Sequence, residues 1–226
     1  MRKIIILLSF LFISLFCYSQ EWDYPVKPGT KAWEQLSTYE ERLNAYNIPN
    51  ELLQKMSTED LVQTCLNYPE FRLIMTRNSL HQGYNYLRTI FNGFEELEKR
   101  VDAGEKLIMA YKKLNPSKIV QFEQSVEKGA YSFKFTYLEV LLAQKPIIKN
   151  MDNSEIKGLI EQCISNYQNF EKMPDLYGTF SLTTPALVLG RTLDVRDYPV
   201  YQSKKSKNRK FEHFVDNTQL TDEQIL

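Results

Sequence analysis

Residues 20–226 carry two cysteines, Cys65 and Cys163, and two histidines, His81 and His213. These are the side chains with the chemistry for a nucleophile, a neutral-pH base or a soft metal ligand. A reactive thiol needs a lowered pKa and access to solvent, and nothing near Cys65 in sequence supplies either. Neither histidine stands in a His-Glu-x-x-His or paired Cys-x-x-Cys spacing that suits zinc. No Gly-x-Ser-x-Gly elbow, phosphate-cradling glycine loop or dinucleotide fingerprint is present. The sequence therefore assigns no catalytic residue, no metal ligand and no cofactor. Glu95, Glu96 and Glu98 precede Lys99 and Arg100, a run that reads as a solvated helix face. A carboxylate pair of the kind glycoside hydrolases use is defined by spacing in three dimensions, so abundant Asp and Glu do not locate one.

Two further groups have the right chemistry for binding. The chain holds 14 Tyr and 13 Phe, and tyrosine and tryptophan can stack on sugars or anchor interfaces. Most fall on helical stripes, where core packing is the expected role. Between 196 and 210 stand Arg196, Lys204, Lys205, Lys207, Arg209 and Lys210, opposed only by Asp197. The expected state is a solvated loop. The functional reading assigns Lys204, Lys205, Lys207, Arg209 and Lys210 to a patch for anionic groups such as surface phosphates or acidic glycans. Over the whole chain 28 Lys and Arg balance 28 Asp and Glu, so nucleic acid is not an expected partner.

The N-terminus points to export. Met1-Arg2-Lys3 is followed by an apolar run over 4–16, and Cys17-Tyr18-Ser19 places small residues at −3 and −1 of a cleavage point. Residues 1–19 thus read as a signal peptide, with an apolar run too short for a comfortable membrane span. A lipid-modified cysteine normally follows a small residue, whereas Phe16 precedes Cys17. A soluble exported protein, periplasmic or secreted, is therefore expected in preference to a lipid anchor. No later stretch is apolar over a membrane's width. Cys65 and Cys163 would meet an oxidising compartment and are candidates for one disulfide, with buried, unbonded thiols as the alternative.

The elements that must position these groups read as short helices. Residues 56–71 set the grammar: Ser57 is an N-cap, Glu59 and Asp60 sit in the first turn, Leu61, Val62, Cys65 and Leu66 form one stripe, and Pro69 ends the helix. Thr30 is expected to open a helix over 30–46, and Pro49 a short one. A longer helix starts near Ser79 and either breaks at Asn92-Gly93 or runs through it. Asp102 with Glu105 has the form of a capping box. Asn115-Pro116 opens a segment carrying Ile119, Val120, Phe122 and Val126, with Gly129 as its C-cap. Residues 131–137 alternate like a strand, yet Leu138, Val140, Leu141 and Leu142 suit a buried helix, and helix is the expectation. Ile156, Leu159, Ile160, Cys163, Ile164 and Tyr167 give the clearest helical period in the chain. Thr184-Pro185 is expected to open a last short helix.

These signals define an all-α fold of short capped helices packed as pairs, either a HEAT-like α-solenoid or an irregular helical bundle. The helical domain is expected over 20–195, and a basic, flexible tail over 196–226. Within that tail Thr221 and Gln224 have the form of another capping box, flanked by Leu220 and Ile225. It announces a helix for which the sequence has no room: either the pattern is chance in an unstructured tail, or the natural gene product is longer, and the second is the expectation.

Three motifs carry a resemblance: Tyr24-Pro-Val-Lys-Pro-Gly, Met56-Ser-Thr-x-x-Leu-Val-x-Thr-Cys-Leu-Asn-Tyr-Pro and Arg100-Val-Asp-Ala-Gly. On these the chain resembles a family of uncharacterised exported bacterial helical proteins. The resemblance implies an exported helical domain and no assigned function. Some similar proteins continue into a Tyr-Asn-Cys-His-Ser-Tyr-type segment that suits a Cys/His hydrolase. This sequence has no cysteine after Cys163, so that activity does not carry over. The reading that results is an exported, non-enzymatic helical binding protein whose partner is another protein or a surface glycan. The alternative is the helical portion of a secreted hydrolase whose catalytic part is absent or carboxylate-based.

Overall fold

Capping signals and prolines divide the chain where the sequence leads one to look, with instructive exceptions. The computed structural model describes residues 21–217; the assigned signal peptide, Cys17 and the Thr221 capping pattern lie outside the described residues. Its helices in order are α1 (Lys31–Glu34), α2 (Tyr39–Asn44), α3 (Asn50–Lys55), α4 (Thr58–Leu66), α5 (Leu80–Ile90), α6 (Asn92–Lys99), α7 (Ala103–Lys113), α8 (Ser125–Leu142), α9 (Lys145–Asn150), α10 (Asn153–Glu171), α11 (Pro174–Tyr177), α12 (Phe180–Val195), α13 (Pro199–Lys205) and α14 (Arg209–Asn217). Two 3-10 turns, Phe71–Thr76 and Pro116–Gln121, join α4 to α5 and α7 to α8. Among the described residues there is no strand, and the protein is all-α.

Ser57 accepts from the Asp60 amide at 3.1 Å, as its position in front of α4 predicts. Asp152 and Glu155 form a reciprocal box at the start of α10. The single helix expected over 30–46 is interrupted, because Thr38 and Glu41 form a capping box of their own and start α2. Asp102 does not cap α7; its carboxylate instead accepts from the Thr58 hydroxyl at 2.7 Å and ties α7 to α4. The Pro116 turn stops at Gln121, and Gly129 lies inside α8 rather than ending a helix. Val120 and Val126, expected in a stripe, are 64% and 80% exposed. Pro185 stands inside α12, which begins five residues earlier at Phe180. The strand-like alternation of 131–137 is overruled by a longer period: Tyr131, Phe135, Leu138 and Leu142 recur at i, i+4, i+7 and i+11, and all four are buried in α8.

One apolar cluster runs from Tyr24 to Val188. Helix α7 packs on α4, α8, α9 and α10, while α12 packs on α8, α9 and α10. The N-terminal arm folds back as expected: Trp22 Nε1 donates to the Tyr46 carbonyl, and the Tyr24 hydroxyl donates to the Thr64 carbonyl at 2.7 Å. In a solenoid each repeat touches only its neighbours. Here α14 packs on α5 from the far end of the chain, so the irregular bundle, not the solenoid, is formed. The same contact corrects the flexible tail expected over 196–226 for its described part, up to residue 217. Residues 199–217 form α13 and α14, and their Tyr201 and Val215 are buried. Gly83 allows the chain to fold sharply before α5, since a Cβ there would lie 2.0 Å from the Ile74 carbonyl oxygen.

Cys65 and Cys163 are buried and unbonded. Cys65 faces inward from α4 and Cys163 from α10, each helix packed on α7. The disulfide raised by the sequence is therefore not made.

Candidate functional site

Three polar groups of α5 lie on one stripe. His81, Asn85 and Arg88 follow at i, i+4 and i+7, and they open onto a cleft of about 320 Å³. Glu98 of α6, Gln144 and Lys145 at the α8–α9 junction, Arg191 of α12 and Asp216 of α14 complete its wall. Three cationic side chains and two carboxylates thus converge from five helices.

Arg191 organises this site. It is 2% exposed, and its Nε donates to the Val215 carbonyl at 2.9 Å. One terminal nitrogen donates to the Ala143 carbonyl, and the other reaches the Asp216 carbonyl and His81 Nδ1. A guanidinium is always charged and carries five donors in a fixed fork. Its burial is met by backbone carbonyl dipoles, which also fasten α14 to the bundle. Because Arg191 has only donors, His81 Nδ1 must accept, which places the ring proton on Nε2. Asn85 Nδ2 lies 3.1 Å from Nε2, and turning that amide over brings its oxygen to the Nε2 proton. Burial, then the Arg191 and Lys145 charges, push the His81 pKa down. The ring is neutral at pH 7.

Glu98, expected on a solvated face, is 9% exposed. Its Oε1 accepts from the Tyr84 hydroxyl at 2.9 Å, and its Oε2 lies 3.2 Å from Arg88. Burial raises its pKa, while Tyr84 and Arg88 oppose the shift. The Arg88 Nε is out of water and has no hydrogen-bond partner among the described residues. Lys145 and Asp216 stand 3.6 Å apart at the mouth, both about half exposed. Such an arrangement can hold an anionic group against Arg88 and Lys145, with Asn85 to orient it.

A second buried carboxyl lies elsewhere. Glu139 in α8 is 0% exposed and accepts hydrogen bonds from the Tyr111 and Thr184 hydroxyls. Burial pushes its pKa up to about 8 against the pull of both hydroxyls. Cys163 lies close enough for Glu139 to add to the burial that raises its thiol pKa. Cys65 is raised by burial alone. Neither thiol has the electropositive, accessible setting of a nucleophile.

The basic patch read from the sequence does not join the cleft. Lys204, Lys207, Arg209 and Lys210 are exposed around the α13–α14 junction. Lys205 turns inward and pairs with Asp194 at 3.0 Å, with side-chain exposures of 16% and 13%. His213 is exposed on α14. Among the described residues no group of three or more His, Cys, Asp or Glu is placed to hold a metal ion, and no helix is long and apolar enough to cross a membrane. Sequence reasoning missed Arg88, Lys145, Arg191 and Asp216. The one available signal was the polar spacing of His81, Asn85 and Arg88 beside the apolar stripe of Leu80, Tyr84 and Leu87.

No known family model, characterised protein or solved structure matches this chain.

Proposed function

We propose that the chain is a non-catalytic binding protein of the cell exterior, and that the cleft around Arg191 receives the acidic group of a surface glycan. The observation that carries this reading is the convergence of Arg88, Lys145 and Arg191 on one cleft whose only buried carboxylate, Glu98, is already turned onto Tyr84 and Arg88. A carboxylate-bearing sugar offers both the charge for Arg88 and Lys145 and hydroxyls for Asn85 and Gln144. Export rests on the signal-like residues 1–19 and on the resemblance to exported helical proteins. The exposed cations Lys204, Lys207, Arg209 and Lys210 add a second, outer contact for the same acidic polymer.

Calorimetric titration with a uronic-acid oligosaccharide tests the reading, with the matching neutral oligosaccharide as control. Saturable binding of the acid alone, lost in the R88A/K145A double variant, is the expected result. Equal binding of both sugars, or no binding of either, would overturn it.

The pairing of Glu98 and Asp216 in one cleft favours a single alternative, a carboxylate-based hydrolase. Its raised pKa suits Glu98 to the acid role and leaves Asp216 the base. Turnover of a glycoside that vanishes in E98Q, with folding intact, would replace the binding reading with this one.

A further inference from the structure

Helices α4, α7 and α8 pack on one another in pairs, and along their meeting line a groove of about 300 Å³ stays open. It lies apart from the Arg191 cleft and shares no residue with it. Its walls are mostly apolar. Leu66 and Leu114 are only partly buried there, Tyr137 forms one side, and Ala130 of α8 is too small to fill the gap. Tyr137 is held in place by stacking on Phe71, with ring centroids 4.0 Å apart and planes 17° from parallel. The groove is thus a standing feature of three packed helices.

The charge at the rim is of one sign. Lys113 and Lys134 line the groove, and no carboxylate does. Lys113 reaches Glu59 at 3.4 Å across an exposed surface, a pairing that is weak in water. Lys134 has no ion pair among the described residues. An apolar trough with two ammonium groups at its edge matches an alkyl chain that carries an acidic head. The volume holds roughly ten water-sized groups, the scale of a medium-length chain.

We propose that this groove binds a single-chain anionic amphiphile, a fatty acid, with the alkyl chain along Leu66, Leu114 and Tyr137 and the carboxylate at Lys134 and Lys113. The driving force is burial of the methylenes, about 0.8 kcal/mol for each one fully buried. The lysines select the sign of the head. This proposal does not depend on the glycan reading, since the two sites share no residue.

Calorimetric titration of the intact protein with laurate below its micelle concentration, set beside dodecyltrimethylammonium, tests it. One laurate per chain is expected, with the cationic amphiphile at least tenfold weaker. Ala130→Phe, which fills the trough from an exposed position, abolishes binding without lowering the melting temperature. Should that variant melt early, Leu66→Trp on the opposite wall provides the same block. The K113E/K134E variant loses affinity about tenfold, roughly 1.4 kcal/mol, and reverses the head-group preference. R88A/K145A binds laurate unchanged. The proposal is overturned if laurate does not bind, if it binds both blocked variants as it binds the parent, or if the cation binds equally well. Self-association that A130F breaks and laurate does not displace would assign the groove to a second copy, and would overturn it as well.

Discussion

Glu98 and Glu139 begin from the same chemistry and end in different roles. Both are carboxyls withdrawn from water, and both accept a hydrogen bond from a buried tyrosine, Tyr84 in one case and Tyr111 in the other. Glu98 has Arg88 on its second oxygen and forms part of the wall of a cleft. Glu139 has only the Thr184 hydroxyl there and is sealed between α7, α8 and α12. A neighbouring cation and a path to solvent keep the first within reach of ligand chemistry. Without either, the second keeps its proton and becomes a structural hydrogen-bonding post. A perturbed carboxyl alone therefore does not mark a site; its surroundings decide.

That contrast is sharpest in the pH dependence of stability. An unfolded glutamate titrates near 4.5, whereas folded Glu139 titrates at about 8. Between these values the folded state binds the extra proton. The contribution is complete below pH 4.5 and is lost as pH rises through 8, at up to about 1.4 kcal/mol per pH unit. Urea unfolding at pH 5, 7 and 9 is expected to show this fall, and E139Q to flatten it. E98Q is expected to change the profile far less, because Arg88 opposes the shift at Glu98. Equal flattening by both variants would erase the distinction drawn between the two sites.

The next effect in size belongs to the cleft. Arg191→Ala strips partners from the Ala143, Val215 and Asp216 carbonyls and costs about 3 kcal/mol. Amide hydrogen exchange is expected to show α14 losing protection while the core around Glu139 keeps its own. Uniform loss across the chain would mean that the two regions are one cooperative unit.

Tyr84→Phe and Tyr111→Phe compare the sites through one atom each. Each removes a hydrogen bond to a buried carboxyl, worth about 1–2 kcal/mol. The loss is expected to be larger for Tyr111, whose acceptor has no cation to fall back on. Thermal melts of the pair at pH 7 read the difference. The smallest effect is expected from Lys205→Ala, which breaks the half-sheltered pair with Asp194 at a cost of about 0.5–1 kcal/mol.

Much of the fold is legible in the sequence and little of the candidate site. Ser57 and the period of α10 act within a turn or two of chain, so they survive whatever the rest of the molecule does. Asp102 shows the limit: its capping pattern is correct as text, yet Thr58, brought up by α4, offers a partner that wins. Val120 and Val126 fail for a related reason, since a stripe position is buried only if a neighbour arrives to cover it. The tail fails because composition alone was read. Its charges are real, but Tyr201 and Val215 find a surface on α12 and α5 and convert a basic linker into two docked helices.

By itself the sequence determines that this protein is helical, where helices such as α4 and α5 begin, and that Cys65, Cys163 and most aromatics belong to the interior. Caps, prolines and apolar periods are local, and a helix needs only local terms to declare itself. The tertiary structure alone decides that His81 meets Arg191 across 110 positions, that Glu98 opens to a cleft, and that Glu139 is closed off. Those outcomes depend on which helix faces pack together. Charge, burial and hydrogen-bond supply at each carboxyl come from neighbours that no local spacing announces.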